Sequence, residues 1–113
     1  MQIPNADRAV VEAAKLRDYL LSQTHPVGRF KAAFFLALGY SPDGWSQLEA
    51  DLRSQHLFRD AEADRPTPYG QKYVIRATLV GPAGRAARVV SVWVVRAGED
   101  FARFVTAYPE AAG

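Results

Sequence analysis

The chain contains no cysteine and only two histidines. The first absence excludes a disulfide framework, a thiolate metal site and a thiol nucleophile. The second leaves His25 and His56 too few for a zinc site built on histidine alone, so no metal and no cofactor is expected. No apolar run approaches the roughly 20 residues that a membrane span needs. The N-terminus, Met1-Gln2-Ile3-Pro4-Asn5, has neither a basic nor an apolar leader region, and the expectation is a cytoplasmic chain with no membrane partner. Acid is missing locally as well. Residues 65–96 hold Arg65, Lys72, Arg76, Arg85, Arg88 and Arg96 with no Asp or Glu, whereas residues 1–64 carry seven Lys/Arg against nine Asp/Glu. The formal net charge of +2 conceals that asymmetry. A stretch of this kind is either an electrostatic footprint for a polyanion or a set of solvated positions on exposed strands.

What is present is an ordinary globular composition: 113 residues, 49% hydrophobic and 23% charged. That length builds one core and has no room for two, so residues 1–113 read as a single domain. Asp7 and Glu12 suit the start of a helix, and Val11, Ala14, Leu16, Tyr19 and Leu20 recur at roughly helical spacing, which predicts a first helix near residues 8–22. Pro26 suits the first position of a second helix, whose apolar stripe is Phe30, Ala33, Phe34, Ala37 and Leu38 and whose end is Gly39. Ser41-Pro42-Asp43 opens a third, with Trp45, Leu48 and Leu52 facing inward. Residues 58–68 read as a loop. Tyr73, Ile75, Ala77 and Leu79 then alternate with Lys72, Val74, Arg76 and Thr78, Gly81-Pro82-Ala83-Gly84 marks a hairpin, and residues 86–95 and 101–108 form further strands. The expected fold is α+β: about three helices packed on one face of an antiparallel meander of three to four strands.

No phosphate-binding glycine loop, paired-histidine zinc signature or nucleophile elbow occurs. The strands have no acid before Glu99, which speaks against a metal-dependent nuclease holding its ions on clustered carboxylates. Three polar sets remain. His25, Arg29 and Lys31 stand at the mouth of the second helix, where exposed N–H groups favour phosphate and histidine supplies a neutral-pH acid or base; alternatively His25 caps the helix and both cations face water. Tyr69, Lys72 and Tyr73 place two aromatics beside a cation at a strand start, suited to unpaired bases, unless Tyr73 is core and Tyr69 an ordinary turn residue. Thr106 lies between Phe104 and Tyr108 late in the last strand, where threonine also occurs for β-propensity alone. Converged on a sheet, such residues form a metal-free ribonuclease site. There the substrate's own 2′-OH attacks, and the protein supplies a base, an acid and cations for the phosphorane.

Ile3-Pro4-Asn5-Ala6-Asp7-Arg8-Ala9-Val10, Lys15 to Leu21, His25-Pro26-Val27-Gly28-Arg29, Thr67-Pro68-Tyr69-Gly70 with Lys72-Tyr73, and Arg103 to Pro109 together resemble a widespread bacterial domain family. The pattern covers residues 3–109. It is also similar to toxin domains of contact-dependent inhibition and other polymorphic toxin systems, which resemble the barnase–EndoU–colicin–RelE group of metal-independent ribonucleases. The resemblance implies helices followed by a meandering sheet, cleavage of RNA (tRNA or mRNA), and an acidic antitoxin or immunity protein as partner, as in a toxin–antitoxin pair. It implies His25, Lys31, Tyr69, Lys72 and Thr106 as catalytic residues, with Arg29, Tyr73, Arg76, Arg85, Arg88 and Tyr108 binding the nucleic acid. The chain departs from the pattern at Phe30, where a small or polar residue is expected, and at Gly44, where an acid is. A non-catalytic module that binds protein or nucleic acid, such as an antitoxin, an immunity protein or a phage-derived accessory protein, is the competing expectation.

Overall fold

The alternation of residues 72–79 sets the architecture, because a strand with every second side chain apolar must lay that face on a core. In the computed structural model, which describes residues 1–111, this segment is β2 (Gly70–Val80). It pairs antiparallel with β3 (Ala86–Arg96), which pairs with β4 (Ala102–Pro109), and the short β1 (Ala61–Ala63) adds to the far edge, giving the order β1-β2-β3-β4. Three helices precede the sheet. The first is a single turn, α1 (Ala13–Lys15), that widens into a π-helical turn over Leu16–Leu20; α2 (Arg29–Ala37) and α3 (Trp45–Gln55) follow.

Helices cover one face only. Tyr73, Ile75, Ala77, Leu79, Val89, Trp93, Phe104 and Ala107 meet Leu16, Leu20, Phe35, Leu48 and Leu52 in one core. The opposite face carries Lys72, Val74 and Arg76 of β2, and Val90, Val92 and Val94 of β3. Arg103 and Tyr108 of β4 complete it by register, while Thr106, just past the bulge on the edge strand, meets the helical layer through its hydroxyl. A bulge between Phe104 and Thr106, opposite Val92 and Trp93, inserts Val105.

Three elements differ from the sequence expectation; of these the second helix starts at Arg29 and not at Pro26, and it buries Ala32 and Phe35 while Phe30, Ala33 and Ala37 stay exposed. The continuous first helix over 8–22 does not form. Residues 9–12 run extended, with the Val10 N–H bonded to the Ala102 carbonyl (2.8 Å) and the Phe104 N–H to the Val10 carbonyl (2.9 Å). The β-branched pair Val10-Val11 favours that geometry, and it satisfies backbone groups that β4 would otherwise present as a bare edge. Within the expected loop 58–68, Ala61 and Ala63 pair with Ile75 and Tyr73 as β1. Three residues without a hydrophobic alternation carry no strand signal of their own.

The core holds one polar chain. The Trp93 indole N–H donates to Ser91 Oγ (2.8 Å), Ser91 donates to His56 Nδ1 (2.7 Å), and His56 Nε2–H donates to the Ala77 carbonyl (3.2 Å). Desolvation pushes the His56 pKa below its ordinary value, against the raising effect of the Ala77 carbonyl. The unfolded chain therefore binds this proton more readily than the folded one. Stability is complete above the ordinary histidine pKa and falls as pH drops through it toward the folded value. Denaturant unfolding at about pH 7.5 and about pH 5 should show the loss, and equal stabilities would mean that His56 titrates normally. Ser91→Ala leaves the indole N–H and His56 Nδ1 unpaired in the core. It should cost about 2–4 kcal/mol and lower Tm by about 10 °C in a thermal melt.

Candidate functional site

Where α2 meets the sheet edge, three polar groups close on one another. Lys31 Nζ donates to Tyr19 Oη (2.7 Å) and to Thr106 Oγ1 (3.1 Å), and the two hydroxyls lie 3.2 Å apart. All three residues are half-buried. The His25 ring stands edge-on to Tyr19 with centroids 5.0 Å apart. Three segments far apart in the chain supply these groups: the π-turn, the first turn of α2, and the edge strand just past its bulge.

The local sequence explains the convergence. A π-turn adds one residue to a helical circuit and is common at functional sites; here it closes through the Leu21 N–H and the Leu16 carbonyl (2.9 Å). Gly28 is buried against this turn, and a Cβ there would collide with the Tyr19 carbonyl. Only glycine lets α2 start close enough for Lys31 to reach the phenol. Burial alone would raise the Tyr19 pKa. The hydrogen bonds from Lys31 and Thr106, with the charges of Lys31 and Lys15, outweigh that effect, so the phenol sits below its ordinary value.

His25 accepts the N–H groups of Val27 and Gly28 at Nδ1, both at 3.0 Å. Two donors aimed at one ring nitrogen require a lone pair there, so the ring proton is on Nε2. His25 thus organises the entry to α2, as the simpler sequence expectation had it. Lys31 does not face water as that expectation supposed.

The other sequence candidates lie elsewhere. Lys72 lies on the open face two strands and two residues of register from Thr106, about 12 Å by strand spacing and rise. Tyr69 is 85% exposed beyond the start of β2 and joins no polar cluster. Tyr73 packs in the core and offers no ring face to a base. Arg76, Arg88 and Tyr108 lie on the open face with Lys72, Arg88 paired to Glu110, while Arg85 stands at the hairpin tip and Arg29 is exposed on α2. His25, Lys31 and Thr106 therefore come together, and Tyr69 and Lys72 do not join them. Tyr19 carries no functional signal in the sequence, where it is one more apolar position at helical spacing. A shallow cavity of about 190 Å³ lined by Glu62, Asp64, Val74 and Arg76 lies at the β1 side of the open face, away from this cluster. Among the described residues, no three His, Asp or Glu come together to hold a metal ion, and no helix is long and apolar enough to cross a membrane.

The family model for a domain of unknown function, DUF6883, matches residues 2–111. The chain belongs to the DUF6883 family. No curated protein matches it. Among solved structures, this DUF6883 domain matches a chain of the contact-dependent growth inhibition toxin–immunity protein complex from Klebsiella pneumoniae 342. The TM-score is 0.63 at 21% identity, over 95% of this chain and 97% of that one. At that identity the likeness is one of fold.

The site's construction is testable through Gly28 in the DUF6883 domain. Gly28→Ala should destabilise the fold by about 1–3 kcal/mol and return the Tyr19 titration toward the ordinary phenol range. Thermal melts and a phenolate absorbance titration, differenced against Tyr19→Phe, would read both. An alanine variant with unchanged melting and titration would show that Gly28 does not set the approach.

Proposed function

We propose that this domain is a metal-independent endoribonuclease of the toxin kind, with its active site at Lys31, Tyr19 and Thr106. One observation carries the reading: a half-buried lysine whose two partners are neutral hydroxyls, not a carboxylate, so that its positive charge stays available to an anion. A fold shared with a chain of a toxin–immunity complex supports it, as does the basic open face leading to Thr106.

In this reading the scissile phosphate lies against Lys31 and Thr106, which donate to its non-bridging oxygens as charge builds on the phosphorane. The fraction of Tyr19 that is ionised, enlarged by its lowered pKa, takes the 2′-OH proton while the 2′-oxygen attacks phosphorus. The P–O5′ bond breaks, and the departing 5′-oxygen takes a proton from the Lys31 ammonium, leaving a 2′,3′-cyclic phosphate and a 5′-OH. The 2.7 Å hydrogen bond then returns the proton from Tyr19 to Lys31 and restores the pair. His25 acts through its Nε2–H as a hydrogen-bond donor, since its Nδ1 is occupied by backbone. Lys72, Arg76 and Arg88 bind flanking phosphates, and an acidic antitoxin or immunity protein would block the site by covering the same open face.

Induced expression in a bacterial host should arrest growth with fragmented RNA. Lys31→Ala and Tyr19→Phe should each lower cleavage by about 10²–10⁴-fold, and Lys72→Ala far less. The cleavage rate should rise with pH up to a Tyr19 titration below the ordinary phenol range, and Tyr19→Phe should abolish that limb. Healthy growth of folded wild-type protein with intact RNA would favour a non-catalytic binding module, and undiminished cleavage by Lys31→Ala would move the site elsewhere.

A further inference from the structure

Phe30 is 75% exposed in the first turn of α2. An aromatic ring left in water on a helix gains nothing in folding. It is not alone there. The Arg29 guanidinium lies 4.8 Å from the ring centroid, a cation–π arrangement that orders the ring. The next residue is Lys31, the cation of the candidate site, and consecutive helical side chains diverge by about 100°. From Tyr19 to Pro42 the chain contains no acid, so the segment that carries the ring adds only positive charge, from Arg29 and Lys31.

A ring beneath a guanidinium, with a phosphate-seeking ammonium one residue further along the helix, matches the chemistry of an unpaired nucleotide. Its base offers a π-face and its phosphate a negative charge. We propose that Phe30 is the stacking platform for an unpaired nucleobase next to the phosphate held by Lys31 and Thr106, with Arg29 ordering the ring and adding charge. This rests on the ribonuclease reading and adds a substrate class to it: single-stranded or looped RNA, since a paired base has no free face to give. The geometry favours a base over a protein partner because the apolar surface here is a single ring with Val27 beside it, set among cations.

The test measures binding of a 2′-deoxy single strand, which cannot be cleaved by 2′-OH attack, and cleavage of the matching RNA. Wild type would be compared with Phe30→Ala and Phe30→Trp. Phe30→Ala should weaken binding roughly 10- to 100-fold and raise KM with little change in kcat or in the Tyr19 pH limb. Phe30→Trp should bind as well as wild type, with its added fluorescence quenched by the strand. Because the ring is exposed, both variants should melt as wild type does. Wild-type cleavage with unchanged binding and KM in Phe30→Ala would overturn the platform while leaving the ribonuclease reading intact. Wild type that neither binds nor cleaves would defeat that reading and the platform with it. An unchanged strand affinity in Phe30→Ala, with a wild-type dimer lost on substitution in sedimentation, would reassign the ring to a contact between copies.

Discussion

The bond from Ser91 to His56 fixes where every strand must lie. Ser91 is fully buried in the middle of β3, and its hydroxyl has two partners, His56 from the end of α3 and the indole of Trp93. A slip of β3 by one residue would turn that hydroxyl to the open face. It would also strand His56 Nδ1 and the indole N–H in an apolar core. The valines on either side, Val90 and Val92, could pack on either face, so hydrophobicity alone specifies this register weakly. The polar chain specifies it. With β3 pinned, Val92 falls opposite Thr106, and Thr106 reaches the sheet edge where Lys31 arrives.

Much of this order can be read from the residues. The alternation in β2 and the Gly81–Gly84 turn predict the central hairpin, and Gly39 ends the second helix with φ of 104° as a left-handed cap. What escapes the sequence is what depends on distant chain. Val10 falls inside the helix expected over 8–22, yet the unpaired edge of β4 draws it out, and nothing near Val10 announces that edge. β1 is three residues of ordinary loop composition held only by its partner strand. Likewise His25, Lys31 and Thr106 are legible as unusual polar residues, but Tyr19 is not, because a π-turn has no sequence signature and its phenol looks like one more core aromatic. Tyr73 shows the opposite error. Its neighbours suggested a binding surface, while its even spacing with Ile75, Ala77 and Leu79 already assigned it to the core.

The ion pairs separate cations that hold the fold from those that do not. Arg8, Arg53, Arg88 and Arg103 each meet a carboxylate, and Arg103 meets both Glu99 and Glu12, tying the β3–β4 turn to the N-terminal segment. Lys31 meets none. Placing an ammonium at a half-buried position without a counter-ion gives up solvation that hydroxyl partners return only in part. A carboxylate partner, or an apolar residue in place of Lys31 itself, would serve stability better.

That cost has a consequence for how the helices are built. A regular α-helical turn at residues 16–20 would keep better backbone hydrogen bonds but carry Tyr19 to a different angle. A side chain at Gly28 would add packing but hold α2 away. In both places the more stable local choice is absent, and in both the result is the same: the phenol and the ammonium are brought to hydrogen-bonding distance beside Thr106. Sequences depart from local consistency mainly where function requires it. Here the π-turn, the glycine contact and the uncompensated lysine all fall within one cluster, while the fully buried chain of Ser91, His56 and Trp93 one strand away leaves no polar side chain unpaired. The division between a core with its polar groups fully paired and an edge with charge held in reserve is the physical argument for seeking the chemistry at Lys31.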